Sequence, residues 1–167
     1  MNHLLADARA ASKAGPYHAA LALTLAVPDI CGKAETPTAQ VGARYRRWYA
    51  THMLPLYTSD TGPNAGTVWL SADDCYALRN AFLHQGELAL AAASAALERV
   101  HIVVPPPGWT LHRNKRDKVV MLQLDIFCED MCAAAERWFT AAPPEVQARI
   151  AALPQIEVFD ASKGVVF

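Results

Sequence analysis

Apolar residues recur at helical spacing over most of the chain. Residues 1–13 carry leucines and alanines at the i, i+3, i+4 spacing of one helix face, which predicts a first helix that Gly15 ends. The next segment, Pro16 to about Lys33, is apolar nearly all round and therefore predicts a buried helix. Pro28 is expected either to kink this second helix or to end it.

Further helices are predicted from start signals combined with apolar spacing. One runs from Thr36 or Thr38 to about Leu54, and another from Asp125, as its cap, through Phe139. Between them, a helix begins at Ser71 and stops near Gly86, because Ser71 followed by Asp74 is a variant of the capping box. Two shorter helix-prone runs lie at 87–97 and 145–153, and a turn-rich surface loop at 58–67.

β-Branched residues replace the helical pattern in two places. The runs VHIVV at 100–104 and KVVMLQL at 118–124 predict a two-stranded β-hairpin excursion over about 100–124, with the polar run HRNKRDK in its connecting loop. IEVF and VVF predict a terminal hairpin at about 156–167. The expected fold is a single, mainly α domain over residues 1–167, an antiparallel helical bundle with these small β additions.

Composition and charge narrow the class of protein. The 167 residues are 53% hydrophobic, and 15 Lys and Arg nearly balance 16 Asp and Glu, so polyanion binding would need local clusters. The longest apolar stretch, Ala19 to Val27, is shorter than the roughly 20 residues that span a bilayer. Because Asp7 and Arg9 interrupt the region where a signal peptide would be apolar, a cytoplasmic protein without membrane contact is expected.

The four cysteines are expected to be reduced and mostly buried. Cys128 and Cys132 are four residues apart on a predicted helix, but neither CxxC nor HxxxH spacing accompanies them. No glycine-rich phosphate loop is present in the sequence. We therefore expect neither a metal nor another cofactor.

The helix that begins at Ser71 carries the main candidate chemistry in the hexapeptide RNAFLH. On a helix, one polar stripe is expected to line a cleft, and it consists of Asp73, Tyr76, Asn80 and His84. A second, apolar stripe is expected to face the core, and it consists of Cys75, Leu78 and Phe82. The long side chain of Arg79 can curl toward the imidazole of its own chain or serve that of a second protomer.

These residues resemble the ribonuclease motif of the HEPN superfamily. Arg79, Asn80 and His84 match its Arg, polar and His positions one for one, late in a bundle helix. The resemblance implies a metal-independent endoribonuclease that acts as a homodimer, with two motif helices facing across a cleft. It also implies 2′,3′-cyclic phosphate products, and a toxin, defence or stress-response role with an antitoxin as partner.

The residue types fit that chemistry. His84 exchanges protons near neutral pH, so it suits the ribose 2′-hydroxyl or the leaving 5′-oxygen. Arg79 offers a fork of donors to the phosphorane oxygens, and Asn80 can orient the imidazole or contact the phosphate. In one toxin branch a tyrosine, the target of a nucleotidyltransferase antitoxin, stands two residues after the histidine. Here that position is Gly86, which argues against this mode of regulation.

Two other interpretations remain open. In the first, His84 caps its own helix, Arg79 pairs with Asp74 or Glu87, and the chain is a non-catalytic HEPN-like bundle that binds RNA, a nucleotide or a partner protein. In the second, the chain is a metal-dependent hydrolase. Its ligands would be drawn from His52, Asp73 and His112.

Two short segments concentrate positive charge and are weaker candidates for RNA binding. Their cationic residues are Arg44, Arg46, Arg47, Arg113, Lys115, Arg116 and Lys118. In the first segment, ARYRRWYATH, the favoured interpretation is that the aromatic rings pack inward while the arginines are solvated. In the second, HRNKRDK, a solvated hairpin tip is favoured.

Overall fold

The computed structural model describes residues 1–83 and 98–153 of the chain, and this part is mainly helical. Its six α-helices are α1 (Asn2–Ala14), α2 (Tyr17–Glu35), α3 (Val41–His52), α4 (Ala72–Leu83), α5 (Leu124–Ala141) and α6 (Pro144–Ala151). Its strands are β1 (Thr58–Ser59), β2 (Thr67–Val68), β3 (Val100–Val103), β4 (Asn114–Arg116) and β5 (Val119–Gln123). The helix-prone run at 87–97 and the predicted terminal hairpin at 156–167 lie outside the described residues.

Helix α2 occupies the centre of the helical assembly, which explains its nearly continuous apolar sequence. It packs against α1, α3, α4, α5 and α6, so that each of its faces meets another helix. The helix continues through the buried Pro28 to Glu35 rather than ending there. At Gly32, a Cβ atom would lie only 2.8 Å from the backbone oxygen of Arg44, so the absence of a side chain allows α3 to approach closely.

Helix α1 ends where the sequence predicts. Gly15 adopts a left-handed conformation with φ of 104°, and its N–H donates to the carbonyl of Ala11. The helix is fastened to α5 by Arg9, whose guanidinium donates to Glu129 at 2.8 Å and also to Glu136.

The aromatic residues of α3 form much of the core, as the favoured interpretation of ARYRRWYATH predicts. Tyr45, Trp48 and Tyr49 are fully buried. The two tyrosine hydroxyls donate to backbone oxygens, that of Tyr45 to Leu25 at 3.1 Å and that of Tyr49 to Leu70 at 3.2 Å. Burial raises the pKa of both phenols well above their usual value, so they pack as neutral groups.

The predicted start of α4 is confirmed, whereas that of α5 differs from the prediction. The backbone N–H of Asp74 donates to Oγ of Ser71 at 3.1 Å, and the Ser71 hydroxyl donates to the Asp74 carboxylate at 2.8 Å. Asp125 does not cap α5. It lies inside the first turn, where its carboxylate accepts from the N–H of Ile126 and benefits from the helix dipole.

Both predicted strands of the β excursion are confirmed, as β3 and β5, but they belong to a three-stranded sheet, so the prediction of a two-stranded hairpin was wrong. Its order is β3-β5-β4; β3 pairs parallel with β5 (Val100 opposite Val120), and β4 pairs antiparallel with β5 (Lys115 opposite Val120). Residues 104–118 between β3 and β5 are long enough for the crossover that a parallel pair needs. The polar run itself supplies β4, whose exposed charged side chains suit the edge of a sheet.

The turn-rich segment at 58–67 also contains more structure than the loop that was predicted. Its two ends form the short antiparallel pair of β1 and β2, in which Ser59 lies opposite Thr67. The hydroxyl of Ser59 accepts a hydrogen bond from the indole N–H of Trp69 at 2.8 Å. These contacts place Ser71 at the start of α4.

Within residues 1–83 and 98–153, no helix is both long and apolar enough to cross a membrane. All four cysteines fall in these ranges, and each is a buried free thiol, as predicted.

Candidate functional site

Four polar side chains from three helices meet at the predicted motif, and two of them are motif residues. Asp29 comes from α2, Arg44 from α3, and Arg79 and Asn80 from α4. All four are half-buried rather than sealed in the core. We call this group the Asp29 cluster.

Arg79 is held firmly within the Asp29 cluster. One of its terminal nitrogens, Nη2, donates to Oδ2 of Asp29 at 2.8 Å, and the other, Nη1, donates to Oδ1 of Asn80 at 3.0 Å. Its side chain is 12% exposed. The buried Nε atom has no hydrogen-bond partner among the described residues. The guanidinium is thus oriented by two contacts while some of its N–H donors remain unused.

Arg44 binds the other oxygen of the same carboxylate. Its Nη2 donates to Oδ1 of Asp29 at 3.1 Å, and its side chain is 13% exposed. Two guanidiniums therefore share one carboxylate, which leaves the Asp29 cluster with a formal charge of +1. A positively charged cluster with limited access to water attracts an anion more strongly than an exposed pair of arginines would.

His84 lies just outside the described residues, which reach Leu83 at the end of α4. The structure therefore describes two of the three motif residues, and it brings them together. The apolar stripe of α4 is confirmed for the buried Cys75 and Leu78, whereas Phe82 is 36% exposed and is not a core residue.

The remaining described residues of the predicted polar stripe, Asp73 and Tyr76, both contact Arg46 of α3. Asp73 is highly exposed and accepts from Nε of Arg46 at 2.6 Å. The Arg46 guanidinium also lies 4.2 Å from the centre of the Tyr76 ring, a cation–π arrangement. Asp73 and Tyr76 thus form, with Arg46, a surface contact between α3 and α4 one turn or more before the Asp29 cluster.

The two basic segments differ in exposure. In α3, Arg47 is exposed as predicted, but the prediction of a solvated Arg44 was wrong, since this side chain belongs to the Asp29 cluster. In the second segment, Lys115, Arg116 and Lys118 are exposed on β4 and its turn to β5. Arg113 is also exposed, and its guanidinium donates to the carbonyl oxygen of Leu56 at 2.8 Å.

Sequence reasoning missed Asp29, the residue that organises the cluster. The partners proposed for Arg79 were Asp74 and Glu87; Asp74 instead pairs with Arg99, and Glu87 lies outside the described residues. The available signal was an acidic residue inside an otherwise apolar, buried helix. Such a residue needs a cationic partner, although its position does not reveal which one.

The residues considered as metal ligands do not assemble into a metal site. Within the two described ranges, no three His, Cys, Asp or Glu side chains are placed to share a metal ion. His52, Asp73 and His112 make separate contacts, with Trp48, Arg46 and Gln123 respectively. Burial raises the pKa of the Cys75 thiol to about 12, so this thiol stays protonated at neutral pH.

Comparison with protein-family models, curated proteins and solved structures gives no match to this chain. The resemblance to the HEPN superfamily therefore depends on the motif residues Arg79, Asn80 and His84 alone.

Proposed function

We propose that the protein is a metal-independent endoribonuclease of the HEPN type. The observation that carries the proposal is the Asp29 cluster, in which the motif residues Arg79 and Asn80 are bonded to each other and oriented by a carboxylate from a second helix. The surplus positive charge of the cluster lies at the end of α4 that leads to His84. Phosphodiesters are anions, so this is a suitable place for a scissile phosphate.

In the proposed reaction, the ribose 2′-oxygen attacks the adjacent phosphorus and the bond from phosphorus to the 5′-oxygen breaks. The products are a 2′,3′-cyclic phosphate and a 5′-hydroxyl. His84 exchanges protons with the attacking or the leaving oxygen. Arg79 donates hydrogen bonds to the phosphoryl oxygens, where negative charge increases in the transition state.

Asp29 acts in this proposal as a positioning residue. Its carboxylate fixes Nη2 of Arg79 at 2.8 Å, so the guanidinium does not have to become ordered when RNA binds. Asp29 also takes up part of the positive charge that Arg44 and Arg79 bring together. The proposal includes a homodimer whose two motif helices form one cleft, and a partner protein of the antitoxin class that restrains cleavage in the cell.

A histidine substitution tests the proposal. His84→Ala should abolish cleavage of a labelled single-stranded RNA in the presence of EDTA, because the proton-transfer group is removed, while the far-ultraviolet circular dichroism stays that of the wild type. The matched control is His101→Ala, which changes an exposed histidine of β3 and should cleave normally. Retention of cleavage by the His84 variant, measured on sequencing gels, would exclude the proposal.

One observation favours a second candidate function, that of a non-catalytic bundle that binds RNA, a nucleotide or a protein. The side chain of Arg79 is only 12% exposed and already bound by Asp29, as in a structural ion pair. If this function is correct, the wild-type protein and the His84 variant are equally inactive on RNA. The same gels therefore decide between the two candidates.

A further inference from the structure

The loop that follows β3 contains three prolines and an exposed tryptophan, Trp109. Trp109 is 66% exposed, whereas the side chains of Trp48, Trp69 and Trp138 are buried. The preceding residues 105–107 are all proline, whose rings fix φ. The N–H of Trp109 donates to the carbonyl of Pro106 at 3.1 Å. The backbone that carries the exposed indole is thus restrained, so little backbone entropy is lost on binding.

A cavity of about 200 Å³ opens beside this indole, between the proline loop, the start of α2 and the start of α5. Its lining includes Ser12, Tyr17, Trp109, Gln123 and Asp125. Two aromatic rings and three hydrogen-bonding side chains thus surround one small space. Tyr17 is itself exposed.

The polar groups of the cavity supply both a donor and an acceptor. Gln123 is more than nine-tenths buried, and its Oε1 accepts from the N–H of Leu111 at 3.0 Å. Among the described residues, its amide nitrogen has no hydrogen-bond acceptor. One carboxylate oxygen of Asp125 accepts from the N–H of Ile126, which leaves the second oxygen available. A donor and an acceptor in the lining of one cavity suit the hydrogen-bonding edge of a nucleobase.

A cationic hairpin follows directly in the chain. The segment from Arg113 to Lys118 contains four cationic side chains and only one acidic side chain, that of Asp117. Arg113 follows Trp109 by four positions, so their backbones are at most about 14 Å apart. This spacing allows one nucleic-acid strand to contact both the aromatic surface and the cationic hairpin.

We propose that this cavity is a nucleobase pocket for single-stranded RNA, in which a purine stacks on Trp109 while the cationic hairpin contacts the neighbouring phosphates. The inference deepens the proposed function, on which it rests for the choice of RNA. A purine is favoured because its larger ring system stacks over more of the indole. The cationic hairpin that follows Trp109 in the chain favours a phosphate-bearing strand over a proline-rich peptide, which aromatic grooves also bind.

Fluorescence of Trp109 gives a direct test of the proposal. Because the other three tryptophans are buried, acrylamide quenches mainly this one. A purine-rich 2′-O-methyl oligoribonucleotide, which the proposed ribonuclease reaction cannot cleave, should protect Trp109 from acrylamide and bind more tightly than a pyrimidine-rich one. Trp109→Ala should weaken binding, measured by anisotropy, about tenfold or more, since one stacked base is lost.

Two further variants sharpen the test. Trp109→Phe keeps an aromatic face and should bind within about threefold of the wild type. Val68→Ala alters another exposed apolar side chain, on β2, and should leave affinity unchanged. Equal binding by the wild type and Trp109→Ala would overturn the inference. Protection of Trp109 by a proline-rich peptide but not by RNA would overturn it as well.

Failure of the inference and failure of the proposed function are distinguishable. If the wild type cleaves no RNA but Trp109→Ala still loses affinity for the methylated oligonucleotide, the proposed function is wrong and the pocket assignment stands. If RNA is cleaved in a manner that depends on His84 while binding is independent of Trp109, the reverse holds.

Discussion

At the scale of single residues, the candidate site depends on one carboxylate that serves two arginines. Arg79 and Asn80 could be selected as candidates from the sequence because they lie within one six-residue pattern, RNAFLH. Asp29 could not, because it precedes Arg79 by 50 positions and meets it only when α2 packs beside α4. Local patterns specify which face a side chain occupies on its own helix, but not which distant side chain it contacts.

Asp29→Asn should lower the free energy of unfolding by about 1–3 kcal/mol, because two half-buried guanidiniums would lose the charge that neutralises them. Urea denaturation measures this loss. The control is Asp73→Asn, which removes the carboxylate of an exposed ion pair with Arg46 and should cost less than about 1 kcal/mol. Equal effects of the two substitutions would contradict the importance assigned to Asp29.

At the scale of secondary-structure elements, the helices and the two strands rich in β-branched residues were predictable, whereas the third strand and the order of the sheet were not. Gly15 ends α1 and Ser71 begins α4, each through a hydrogen bond to a residue nearby in the chain. Both helix boundaries could therefore be predicted from the sequence. The strand β4 consists of Asn114, Lys115 and Arg116, none of which is among the residues that favour strands. Their pairing comes from β5, already held by β3 on its other side. The position of β4 at the sheet edge therefore depends on contacts with residues outside the run HRNKRDK, and the pattern of residues within that run does not predict it.

Gly32→Ala should reduce the free energy of unfolding by about 1–3 kcal/mol, since the new methyl group would meet the backbone of α3 at Arg44. Thermal or urea unfolding provides the measurement. Gly42→Ala is the matched control, because its methyl group would meet side-chain atoms of Arg46 and Tyr76 that are able to move. A stabilising effect of Gly32→Ala, as helix propensity alone predicts, would show that the two helices are less closely packed.

At the scale of the whole molecule, a buried histidine links the sheet to the helices. The side chain of His112 is 5% exposed, and its Nδ1 accepts from the backbone N–H of Gln123 at 3.2 Å. The proton of the neutral ring is therefore on Nε2, which lies 3.8 Å from Oδ2 of Asp130. Burial lowers the pKa of His112, and the nearby Asp130 carboxylate opposes this only in part.

The folded protein should therefore lose stability on acidification. Because the pKa of His112 is lowered in the folded state, the unfolded chain binds more protons as the pH falls through the usual histidine value of about 6.5. Burial lowers the pKa of His52 as well, so both histidines act in the same direction. Urea denaturation should show lower stability at about pH 5.5 than at about pH 7.5.

Substitution separates the contribution of His112 from other titrations. His112→Gln should reduce the difference in stability between the two pH values, whereas His101→Gln, at an exposed position, should preserve it. An unchanged pH dependence in the His112 variant would assign the effect to other groups.

The ion pairs that Arg9 forms with Glu129 and Glu136 affect the order in which contacts form while the protein is synthesised. These partners follow Arg9 by 120 and 127 positions, so a ribosome must add more than a hundred residues after Arg9 before they exist. Until then, the first helix has only its immediate neighbours to contact. The contact between α1 and α5 is thus a late event in synthesis, because it forms only after the helices and strands between them have been made.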